Sequence, residues 1–208
     1  MEISVTIILI AISVAASFYA WSRPDIFQRW LFNPYAVSHR KQYYRFLTSG
    51  FIHSDYMHLL FNMFTLYFFG PIIEHYYGIL FNGSGTALFL ALYFVSMIIA
   101  DLPTFFKNRN NPHYNSLGAS GAVSAVVFSS IMFQPLSEIA IFGILPLPGF
   151  ILGGLYLLYS YYQGKKMADN INHDAHLYGA LFGVAFTVVI WPRVVPLFFE
   201  QLSNFRIF

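Results

Sequence analysis

The sequence predicts an all-α membrane protein built as a bundle of six spanning helices. Three observations lead there. Hydrophobic residues make up 57% of the chain and charged residues only 10%, against roughly 25% charged in an ordinary soluble domain. Mean hydropathy is +0.58. The apolar residues also fall into six runs near the length of about 20 residues that a bilayer-crossing helix needs. Within 208 residues these runs leave no long polar block, so one domain, 1–208, is expected, with no separate soluble domain.

The first run, Ile3 to Ala20, follows Glu2 rather than a basic residue, and it reads as a span rather than a secretory signal. The remaining spans are expected near Tyr56–Tyr77, Thr86–Leu102, Ala119–Phe133, Ile139–Tyr161 and His173–Trp191. The fourth is short, which fits a chain that dips below the membrane surface, where irregular backbone is tolerated only if it is buried in protein or lines a wet cavity. The stretch 21–55 is rich in Trp, Tyr, Phe and Arg, residues that settle at a membrane interface, and is expected to fold against the bundle. Pro146, Pro148 and Gly149 interrupt the fifth run, so a kinked helix is expected there. The tail from Pro192 is expected to form a surface helix.

Composition also excludes functions. Cys is absent, which removes disulfides, thiolate metal sites and a cysteine nucleophile. The 11 Lys and Arg are scattered without a basic stripe, so no nucleic-acid partner is expected. No internal repeat supports a duplicated transporter. His-Glu-x-x-His and Gly-x-Gly-Asp are both missing, so neither a zinc protease nor an aspartyl protease is supported, and no metal or cofactor is expected.

The chemistry-bearing residues stand out because ionisable groups are costly in a bilayer and by default face the bundle interior. Ser120 lies in Leu117-Gly118-Ala119-Ser120-Gly121, between two glycines at the mouth of a helix, where the hydroxyl is uncrowded and backbone N–H groups suit a developing negative charge. His176 opens the last span and shares one stripe with Gly179 and Gly183, at i, i+3 and i+7. Small residues on that stripe, and Gly121, Ser124 and Ala125 on the fourth span, would let two backbones approach closely. Ser120 and His176 would then meet as nucleophile and base; the alternative is a buried histidine bonded to a carbonyl. His58 and Asn62 stack on one face of the second span, and both can donate a hydrogen bond, either in the chemistry or from helix to helix. Glu74, between Gly70 and Gly78, is expected to be structural. Asp174, two residues before His176, points to another side of the helix and is expected to act as a cap or surface residue.

These motifs together resemble the rhomboid family of intramembrane serine proteases. The resemblance rests on Tyr43-Tyr44-Arg45-Phe46-Leu47-Thr48, Phe51-Ile52-His53, His58-x-x-x-Asn62, Gly70-x-x-x-Glu74, Gly118-Ala119-Ser120-Gly121 and Ala175-His176-x-x-Gly179-x-x-x-Gly183. It implies a six-transmembrane-helix rhomboid-like bundle with an embedded first loop, Ser120 as nucleophile and His176 as general base. His58, Asn62 and the Ser120 N–H would form the oxyanion site. Arg45, Glu74, Gly118, Gly121, Gly179 and Gly183 would be structural. The implied activity is endopeptidase cleavage of single-pass transmembrane proteins in or near the lipid bilayer, in a multi-pass protein of a prokaryotic plasma (inner) membrane; the alternative is an inactive rhomboid-like protein that binds membrane clients.

Two features depart from the family pattern. Ser124 stands one turn after the nucleophile, where an aromatic ring often covers the catalytic imidazole, so Tyr178 or Tyr114 is expected to hold His176. The family's topology, with a cytoplasmic N-terminus, would also put most of the Lys and Arg outside, against the positive-inside rule.

Overall fold

The structure is a computed structural model that describes residues 4–141, 145–166 and 171–205. Helix α1 (Val5–Ser22) leads into three short helices, α2 (Pro24–Trp30), α3 (Pro34–Arg40) and α4 (Arg45–Thr48), before α5 (Tyr56–Phe81) and α6 (Gly85–Asn108). After a polar loop come α7 (Ser120–Phe133), a hairpin of β1 (Glu138–Ile141) and β2 (Leu145–Pro148), then α8 (Gly149–Lys166), α9 (His173–Ile190) and α10 (Val194–Ser203). The helix α1, the continuous pair α5–α6 and the helix α9 are long and apolar enough to cross a membrane, while α7, at 14 residues, is a shorter apolar helix. With α7 and α8 they make up the six helices of the bundle.

The bundle is organised around α7. Eleven of its 14 residues are buried, among them Ser124, Ser129 and Ser130. At a rise of about 1.5 Å per residue α7 is only about 21 Å long, and its stability comes from the helices packed round it. Its partners are bonded to it midway along: the Tyr77 hydroxyl meets Ser129 Oγ at 3.1 Å and Thr187 Oγ1 at 3.4 Å, and Ser129 meets Thr187 at 2.7 Å. One polar knot thus joins α5, α7 and α9 where no water competes.

The first loop folds against the bundle, as its composition predicts. Arg45 is buried, donating from one terminal nitrogen to the carbonyls of Leu31 (2.6 Å) and Gln28 (3.0 Å) and from Nε to Gln42 Oε1 (2.7 Å). It therefore satisfies loop carbonyls that have left helical pairing. Phe32 pairs with Ser116 through two backbone bonds of 2.9 and 3.0 Å, which ties this loop to the segment before α7. At the other end of α5, Glu74 accepts from the Ser4 hydroxyl and from Val5 N (2.6 Å). It caps α1. The start of α1 and the start of α7 consequently lie at opposite ends of the bundle.

One expectation fails. The segment read as a kinked fifth span over Ile139–Tyr161 is an antiparallel hairpin, with Glu138 opposite Pro148 and Ala140 opposite Pro146, followed by a helix that begins at Gly149. Both prolines sit in a two-stranded ribbon whose strands are both edges, so the missing N–H removes no ladder bond. They bend no helix.

Candidate active site

Ser120 is placed by the loop that precedes it. Gly118 has φ +115°, and a Cβ there would also lie 2.6 Å from His58 Cε1 and 2.7 Å from Nε2, so backbone and space both require glycine. The Gly118 N–H donates to Ser49 O (2.9 Å) and the Ala119 N–H to His53 Nε2 (3.4 Å). The first bond into α7 runs from Val123 N to Ala119 O. The N–H groups of Ser120, Gly121 and Ala122 precede it, at the positive end of the helix dipole.

His53 is a residue whose part in this loop sequence reasoning missed. Its side chain is fully buried, with Nδ1 3.0 Å from Ser17 Oγ. Nε2 accepts from Ala119, so Nδ1 carries the proton and donates to Ser17, whose own proton goes to Phe51 O (3.2 Å). A second proton would break the bond to Ala119. Burial, with a smaller contribution from neighbouring His58, holds the ring well below the ordinary imidazole range, at about 3.

Glycines bring the base to the nucleophile. A Cβ at Gly179 would stand 2.2 Å from Gly121 O, and one at Gly183 2.2 Å from Ala125 O. The helices α7 and α9 therefore run backbone against backbone, on the two small faces the sequence marks. The N-terminus of α9 is pinned by Asn172, whose Oδ1 accepts from Ala175 N (3.2 Å) and Thr104 Oγ1 (2.8 Å), and whose Nδ2 donates to Asp101 Oδ1 (3.1 Å). Asp174 turns away to pair with Lys107 at 2.5 Å, its side chain 18% exposed.

Ser120 and His176 line one cavity of about 300 Å³ together with Asn62. Its remaining walls are mostly apolar, with Phe61 and Phe69 from α5, Val127, Phe128 and Ile131 from α7, and Leu152 and Tyr156 from α8. Asn62 Nδ2 spends one proton on His58 O (2.9 Å), which leaves its second N–H available to the cavity. His58 sits behind Gly118 rather than in the cavity wall, with Nδ1 3.1 Å from Ser54 Oγ. Ser54 donates to Asp55 Oδ2 (2.7 Å), which can only accept, so in the neutral ring Nδ1 carries the proton and Nε2, on the Gly118 side, is an acceptor.

The ring on His176 is also a correction. It comes from Tyr156 of α8, nearly parallel at 20° with centroids 6.1 Å apart. Tyr178 is 41% exposed, and Tyr114 lies in the loop before α7, its hydroxyl pushed up to about 12 by burial and then by the Asp101 carboxylate. Nothing in the sequence singles out Tyr156 among 15 tyrosines. Asn172, by contrast, carries a legible signal as an N-cap residue before a polar-apolar run.

Fold and site together define a multi-pass helical membrane protein with a serine and a histidine facing one largely apolar cavity. Residues 40–193 match the Rhomboid domain, and the chain belongs to the rhomboid family. It is 28% identical over 156 residues to the mitochondrial RHOMBOID-like protein 12 of Arabidopsis thaliana, covering 71% of this chain and 45% of that one. It is 30% identical over 168 residues to the mitochondrial presenilin-associated rhomboid-like protein of Homo sapiens (73% and 40%), and 29% identical over 148 residues to the putative rhomboid protease YdcA of Bacillus subtilis strain 168 (68% and 64%). The chain spans about half the length of the first curated relatives it matches. Because relatives carry mitochondrial and chloroplast names, the expected prokaryotic plasma membrane is not borne out; what stands is a multi-pass integral membrane protein.

Proposed function

We propose that this chain is an intramembrane serine endopeptidase that cleaves single-pass transmembrane proteins in or near the bilayer through a Ser120–His176 dyad. The observation that carries the reading is the glycine-mediated contact of α7 with α9, which sets Ser120 and His176 on one cavity. In the reaction, His176 takes the Ser120 proton as Oγ attacks the substrate carbonyl, and returns it to the leaving amine as the peptide C–N bond breaks. The acyl-enzyme is then hydrolysed by a water that His176 activates in turn. The oxyanion is met by the Ser120 N–H, reinforced by the N-terminus of α7, and by the remaining Asn62 N–H; losing one such donor typically costs about 10²–10³ in rate. His58, expected as a further donor, stands outside the cavity wall with its proton on Nδ1 and adds no donor there. With the N-terminus cytoplasmic, the cavity opens toward the opposite side of the membrane, and accessibility mapping of a C-terminal reporter tests that orientation.

The test uses the purified chain with a model transmembrane substrate, comparing wild type with Ser120→Ala and His176→Ala. Cleavage by wild type alone supports the reading. Equal cleavage by all three overturns it. Capture of the substrate without cleavage by wild type would favour the inactive client-binding alternative.

A further inference from the structure

We infer that Tyr156, carried by α8, is a positioning residue for His176. This rests on the endopeptidase reading and extends it to a residue outside the nucleophile and base helices. The Tyr156 ring lies over the His176 imidazole at 20° and 6.1 Å, within the range of offset aromatic pairs. Its hydroxyl is 2.8 Å from Ser124 Oγ, one turn along α7 from Ser120, and its other edge meets Phe128 at 5.9 Å. One side chain therefore bridges the helix of the nucleophile and the ring of the base. Ser124, too small to cover the imidazole itself, serves as the anchor for a ring delivered from a third helix.

What holds that ring in place is the approach of α8 to α7. A Cβ at Gly153, one turn before Tyr156, would already stand 3.2 Å from Ile131 and 3.4 Å from Phe128, so the backbone of α8 is close against α7 at this level. Farther along, α8 packs against α9, where the Tyr159 ring meets His173 at 5.5 Å and a Cβ at Gly164 would stand 2.9 Å from Asp174 Oδ1. The same helix forms one wall of the cavity through Leu152, Gly153 and Tyr156.

The experiment measures the rate at which a small fluorophosphonate labels Ser120 in the detergent-solubilised full chain, with Tyr156→Phe and Tyr156→Leu beside wild type. The Phe variant keeps the ring and should stay within about threefold of wild type. The Leu variant loses it and should fall about 10–100-fold, in line with what a displacement of about 1 Å at a catalytic group costs. On a cleavable peptide the same loss should appear in kcat with KM unchanged, a split that general loosening of the fold would not produce. If Leu does not fold, as judged by its melting transition, Tyr156→Met supplies a second non-aromatic side chain that fills the gap. Labelling of the Leu or Met variant at the wild-type rate overturns the inference, as does an equal fall in Phe and Leu, which would assign the effect to the hydroxyl. If wild type itself is not labelled, the endopeptidase reading fails, and the inference with it; labelled wild type with indifferent Tyr156 variants leaves that reading standing.

Discussion

Replacing Gly179 by alanine tests the contact on which the site depends. The added Cβ would fall 2.2 Å from Gly121 O, 2.8 Å from its carbonyl carbon and 3.0 Å from its Cα. A methyl carbon needs more than 3 Å from a carbonyl oxygen, so α9 must withdraw from α7 by about 1 Å, because backbone cannot rotate aside as a side chain can. Gly121 adjoins Ser120 and Gly179 lies one turn from His176, so the shift falls directly on the separation of hydroxyl and imidazole. A misplacement of about 1 Å can cost about 10²-fold in rate, while overpacking costs about 1–3 kcal/mol in stability. Gly179→Ala should therefore stay folded at reduced temperature and label with a fluorophosphonate about 100-fold more slowly than wild type. Gly154→Ala is the control, since a Cβ there meets nothing within 4 Å. Unchanged labelling of a folded Gly179→Ala protein would falsify the claim that this backbone contact sets the geometry of the dyad.

Other outcomes follow from the neighbouring groups. His53 is held neutral at about 3 against an ordinary 6.5, so the unfolded chain binds the extra proton first; stability is full above about pH 6.5 and declines as pH falls toward 3, by roughly 2 kcal/mol at pH 5. Melting curves of wild type and His53→Asn across that range should diverge, and identical slopes would refute the assignment. Tyr77→Phe removes two arms of the buried knot but leaves Ser129 paired with Thr187, so a loss of about 1 kcal/mol in thermal stability is expected. Ser54→Ala deprives His58 Nδ1 of its acceptor, which should move the ring toward the Nε2–H tautomer in its side-chain ¹⁵N shifts; an unchanged spectrum would mean Ser54 does not hold the proton.

Much of the architecture was legible because bilayer and backbone impose simple rules. A run of apolar residues must become a helix in lipid, where every N–H and C=O needs an internal partner, so the positions of α1, α5, α6, α7 and α9 follow closely from hydropathy. The rule fails at residues 138–141 and 145–148, where apolar residues with proline pair as two strands instead; hydropathy records that a segment avoids water, not which backbone pairing it adopts. Spacing likewise marked the small faces of α7 and α9, since i, i+3 and i+4 positions share a side whatever the fold does.

By itself, then, the sequence determined the class of protein, the helices and the residues able to carry chemistry, because these depend on local periodicity and on the cost of burying charge. Only the tertiary structure decided that Tyr156 rather than Tyr178 or Tyr114 covers His176, that His53 holds the nucleophile loop, and that Ser54 and Asp55 set the proton on His58. Those assignments join residues 20, 66 and up to four positions apart. The first two depend on how the helices pack, and the third on the rotamers of adjacent side chains. No period along the chain encodes either.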